Sequence, residues 1–179
     1  MNRRNFIKLT AVGGLVVIVS AGAITWVAIE QSDAPLTSAS VLEMIDNLAK
    51  QEITSKSGWG PYKVFVHCAQ SVDYSIDGYP SHKSAFFKNT AGKLAFSLFT
   101  QKRKMSHNLT EAIPGAPSIE EAGNINESLT LLKNSLNRFE QFNGDLKPHF
   151  AYGELTKSQY ELAHAMHFVN HLKELVVNS

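Results

Sequence analysis

Three histidines, His164, His167 and His171, stand close together near the C-terminus of the 179-residue chain. At about 100° per residue of an α-helix they fall within an arc of roughly 60° on one face, and Tyr160 lies on the same stripe. The His167–His171 pair has the i, i+4 spacing that brings two imidazoles to one metal ion. Phe168, Val169 and Asn170 lie between them, so the glutamate base of an H-E-x-x-H metalloprotease is absent. An HxxxH pair on its own arises readily by chance. Three neutral imidazoles on a buried stripe are harder to dismiss, because each carries a donor and an acceptor that need partners.

A further histidine, His67, follows Val64, Phe65 and Val66, an apolar setting that points to burial. Gln70, Ser71 and Tyr74 share its helical face at i+3, i+4 and i+7. A lone buried histidine is commonly structural. Set across a helical bundle from the HxxxH pair, His67 completes a three-histidine site with open coordination positions. Cys68 is rotated by about 100° from its neighbour on a helix, so it reads as a small core residue and not as half of a dyad. His82, His107 and His149 fall in connections and read as exposed, with His149 at the rim of the site. Lys102-Arg103-Lys104 is a solvated basic run, too short for nucleic acid.

These side chains must be carried by helices. Ser40 and Glu43 have the form of a capping box opening a helix over 40–51, with Leu42, Ile45 and Leu48 at helical spacing. Residues 54–60 read as a loop, and Pro61 suits the first turn of a helix over 61–76, stopped by Gly78-Tyr79-Pro80. The segment 84–104 is helical, with Gly92 as a kink or close-packing point. After a connection over 105–117, Ser118 and Glu121 form a second box for a helix over 118–142. Thr156 and Gln159 form a third, opening a helix over 156–177. No segment alternates long enough to be a strand, so the fold is all-α: a helical bundle with an accessory helix.

The first thirty-one residues stand apart. A basic start, with Arg3, Arg4 and Lys8, precedes an uncharged run over 9–29, which is the pattern of an export signal. Arg3-Arg4 followed by Phe6 and Lys8 resembles a twin-arginine (Tat) signal, against the plainer reading of a signal anchor with a coincidental pair. Ala21-Gly22-Ala23 has the form of a peptidase site, yet the run is long enough as a helix to cross a bilayer. The expectation is a periplasmic domain, soluble after cleavage or anchored to the inner membrane by residues 9–29, with the Tat translocase as a partner during export.

Composition narrows the partners. Hydrophobic residues make up 44% and charged residues 18%, a globular balance. The formal charge is +1, and removing Arg3, Arg4, Lys8 and Glu30 with the leader leaves a domain close to neutral. That excludes an electrostatic nucleic-acid binder. A single cysteine excludes an intramolecular disulfide and any zinc site built on two thiolates.

Gly60-Pro61, the run from His67 to Ser75, Gly78-Tyr79-Pro80, the run from His149 to Leu155 and the histidine helix together resemble the DUF1569 family. That family falls within the DinB/YfiT-like superfamily of metal-binding four-helix bundles. The resemblance covers about residues 36–177. It implies a mononuclear divalent metal held by His67, His167 and His171; imidazole donors suit zinc first, with nickel or iron as alternatives. His164 is then a supporting partner or an alternative ligand, with Gln70, Tyr74 and Tyr160 beside the site. Many relatives carry adjacent histidines at the end of this motif; here the first of that pair is Asn170, and the HxxxH spacing is intact. Two functions follow. One is an exported metal-dependent enzyme, transferase- or hydrolase-like, acting on a small molecule such as a thiol. The other is a non-catalytic metal-binding or structural bundle; in either case a second copy of the chain is a candidate partner.

Overall fold

The computed structural model describes residues 35–178. The expectations for the leader (signal, cleavage and anchoring) lie outside the described residues. Among the described residues, no helix is long and apolar enough to cross a membrane.

The chain is mostly helical. Helix α1 (Ser38–Leu48) is followed by strand β1 (Glu52–Ser55) and helix α2 (Pro61–Asp77). A short helix α3 (Ala85–Phe87) runs through a π-helical turn (Lys88–Gly92) into α4 (Lys93–Lys102). Helices α5 (Ile125–Gln141) and α6 (Lys157–Leu172) and strand β2 (Leu175–Asn178) complete the order. Helix α2 packs between α5 and α6, and α1 packs against the same two. Their apolar stripes meet in one core that includes Val41, Ile45, Phe65, Val72, Leu132, Phe139 and Phe168. This packing sets His67 of α2 opposite the histidine stripe of α6.

The helix starts follow local hydrogen bonding more closely than the sequence reading did. Thr37, not Ser40, caps α1: Ser40 N donates to Thr37 Oγ1 at 3.2 Å while Thr37 N donates to Ser40 Oγ at 3.1 Å. Helix α5 begins at Ile125 and not near Ser118, because Asn124 accepts from the backbone N–H groups of Asn126 and Glu127 at 3.0 and 3.3 Å. Glu121, expected to close a box with Ser118, is ion-paired to Lys63 instead. The Thr156–Gln159 box forms as expected, with bonds of 3.3 and 2.8 Å.

Two further expectations are corrected. The last helix stops at Leu172, and the residues after it form β2, antiparallel to β1 with Ile53 opposite Val177 and Ser55 opposite Leu175. Each strand has four residues, too few for a period-two pattern to show, and the partners are far apart in sequence. Gly92 lies against the turn at residues 149–153, which brings α4 alongside the site.

Candidate metal centre

His67, near the middle of α2, is 3% exposed; His171, in the last turn of α6, is fully buried; His167, one turn earlier, keeps 9%. Their Nε2 atoms converge. His67 Nε2 lies 3.2 Å and His171 Nε2 3.1 Å from His167 Nε2, and the three ligand atoms all lie within 4.8 Å of one another. Nitrogens bound about 2.0–2.1 Å from one cation, at angles between octahedral and tetrahedral, stand roughly 2.9–3.4 Å apart. The two separations to His167 Nε2 fall inside that interval.

The hydrogen-bond accounting points the same way. His167 Nε2 carries at most one hydrogen, so it cannot donate to both neighbours. Burial holds His67 down at about 4, helped by the neighbouring His107, and His171 at about 2, helped by His67 and His107. Burial and then the other histidines hold His167 well below its ordinary value. All three are therefore neutral at pH 7, the form in which an imidazole binds a metal. Three neutral, convergent Nε2 atoms fit a borderline divalent cation.

Trp59, in the loop before α2, packs edge-on to His67 at 5.1 Å and parallel to His171 at 6.3 Å. In sequence it stands only as part of the loop over 54–60. Its position one residue before Gly60-Pro61 was the available signal, since the first turn of α2 fixes where it falls.

On the other side the site opens into a cleft of about 350 Å³. His67, Ser71, His164 and His167 line it from α2 and α6, Gly92, Ala95 and Phe99 from the α4 segment, and residues 105–113 and 149–152 from two connections. Glu111 is the one carboxylate residue among these lining groups. His164 Nε2 is buried and has no protein partner; its ring stacks on Tyr160 at 5.4 Å and meets the edge of Phe139 at 5.2 Å. Tyr160 supports that ring and donates its hydroxyl to the Lys147 carbonyl at 2.6 Å. From the Gln70–Ser71–Tyr74 face, Ser71 reaches the cleft. Tyr74 packs against Tyr79 at 5.7 Å, and Gln70 is half-buried on α2. Asn170 Oδ1 accepts from Lys173 Nζ at 2.9 Å.

Two connection histidines are not exposed as expected, whereas His82 is. His149 is buried because the chain turns back on itself at Gly153, and its Nδ1 accepts from the backbone N–H groups of Ala151 and Tyr152 at 3.1 and 3.2 Å. Its ring stacks on Tyr152 at 4.2 Å. His107 is half-buried, 5.1 Å from the rings of both His167 and His171. Cys68 is a buried core residue, as read from sequence, and burial pushes its thiol up.

A mostly helical domain with three convergent buried histidines, two of which line a cleft, is the class that this geometry defines. The chain belongs to the family described as "Protein of unknown function (DUF1569)", which matches residues 35–178. No curated protein and no solved structure matches it.

Proposed function

We propose that this protein is an exported, metal-dependent enzyme of DinB-like four-helix-bundle type, holding one divalent cation through His67, His167 and His171. The observation that supports this reading is the convergence of the three Nε2 atoms at the edge of an open cleft. Zinc is the first candidate, and nickel and iron accept the same donors. When bound, such a cation supplies Lewis acidity toward a small molecule, a thiol or a carbonyl compound, in the cleft. The chain's own part is positional. Helices α2 and α6 fix the donors, burial keeps them unprotonated, and Phe99, Met105, Ile113 and Phe150 line the cleft with apolar surface that excludes water from a bound ligand. The Tat route and the periplasm are the compartment side of the same proposal.

The test is elemental analysis of purified protein and of His171→Ala. About one equivalent of metal in the parent and a large loss in the variant support the site. Undiminished metal in the variant removes His171 from it, and a metal-free parent that takes up none on titration refutes the reading.

A further inference from the structure

A fourth histidine ring packs against the three. The rings of the proposed ligands are spaced at 4.8–5.0 Å between centroids, and His107 stands 5.1 Å from both His167 and His171. It comes from the connection between α4 and α5, and its placement there is built. Arg103 turns the chain after α4 with φ 49. Met105 is buried with Phe96, Ala163 and Met166, and Ile113 is buried in the main core. Between these anchors, Asn108 Oδ1 accepts from Thr110 N at 3.1 Å and from Thr110 Oγ1 at 3.0 Å, an Asx turn. That turn holds the Asn108 carbonyl 2.9 Å from His107 Nδ1.

A carbonyl only accepts, so His107 Nδ1 carries the hydrogen and Nε2 keeps its lone pair. That Nε2 is buried and has no protein partner. A buried acceptor left this way is costly, and a positive centre beside it removes the cost. The ring is thus held beside the triad in the metal-binding tautomer, outside the group of ligand atoms that lie within 4.8 Å of one another, so it coordinates by closing in on the site, and its connection also lines the cleft.

We propose that His107 is a fourth, loop-borne nitrogen donor to the cation of the triad, exchangeable for a small molecule arriving through the cleft. The proposal rests on the reading of His67, His167 and His171 as a metal centre. The three helix-borne donors retain the ion, and the loop-borne one yields its place.

Cobalt(II) titration of the full chain, followed by visible absorption, tests this, because the ligand-field bands report the donor set. In the parent, Co²⁺ binds with one spectrum. In His107→Ala the bands change and affinity falls about 10-fold or more, and added imidazole restores a parent-like spectrum at concentrations that leave the parent unaltered. His107→Gln, which keeps bulk but offers no imidazole, behaves as His107→Ala and covers any folding defect in the smaller variant. Stoichiometric cobalt with identical spectra and affinities in the parent and both variants overturns the role of His107 and leaves the triad standing. A parent that takes up no cobalt overturns both.

Discussion

Gly92 of the π-helical turn lies so close to Ala151 that a Cβ on it would stand 2.0 Å from the Ala151 carbonyl oxygen. The obstacle is backbone, not a flexible side chain, so one wall of the cleft is seated directly on the turn that carries His149. Gly92→Ala must push α4 away from that turn. Overpacking of this kind costs about 1–3 kcal/mol. A lowered midpoint in urea unfolding, with metal content unchanged, is the expected outcome. An unaltered midpoint would mean that the close approach is not kept in solution.

Acid sensitivity follows from the buried histidines. Burial, with His164 and His82 nearby, holds His149 at about 3, and burial alone holds His164 at about 3; an ordinary histidine titrates near 6.5. Below that value the unfolded chain takes up protons that the folded chain does not, so folding stability is full above about pH 6.5 and is lost as pH falls toward 3. The urea midpoint of metal-free protein is expected to drop between pH 7 and pH 5. A flat profile over that interval would show that these rings are solvated.

Trp59 offers an optical readout. Its indole packs against His67 and His171; with Trp26, the second of the chain's two tryptophans, replaced by Phe, titrating nickel or copper should quench its emission as the ion binds. Substituting Trp59 by Phe should remove the signal and leave metal uptake in place. Emission that ignores a bound ion would separate Trp59 from the site.

Tyr160→Phe removes the hydroxyl that reaches the Lys147 carbonyl but keeps the ring stacked on His164. A loss of about 0.5–1.5 kcal/mol is expected from the missing bond, read by denaturant unfolding, with the metal equivalent retained. Loss of metal would instead make Tyr160 part of the binding machinery.

What could be read beforehand divides along physical lines. The His167–His171 spacing is a property of one helix, so periodicity alone gave it. His67 needed its apolar setting and a family resemblance, and the packing of α2 against α6 brings it beside the pair. His107 and His149 were misjudged because the burial of a connection depends on distant anchors: Met105 and Ile113 for one, the fold-back at Gly153 for the other. The Asn-x-Thr spacing of Asn108 and Thr110 marks the turn that orients His107, but nothing local says what the turn faces. Strands β1 and β2 escaped for a related reason, since a ladder of two four-residue segments is visible only once both are side by side.

That small ladder also governs height. Ser55 pairs with Leu175, Lys56 N donates to the Glu174 carbonyl at 2.8 Å, and Ser57 Oγ donates to the Glu174 carboxylate at 2.8 Å. These bonds splint the start of α2 to the end of α6. Sliding one helix past the other by a single turn, about 5.4 Å, would carry His67 away from the HxxxH pair, and the ladder would have to break first. The last residues of the chain therefore act as a gauge block for the site, and shortening the chain after Leu172 is a way to detune the histidines without touching any of them.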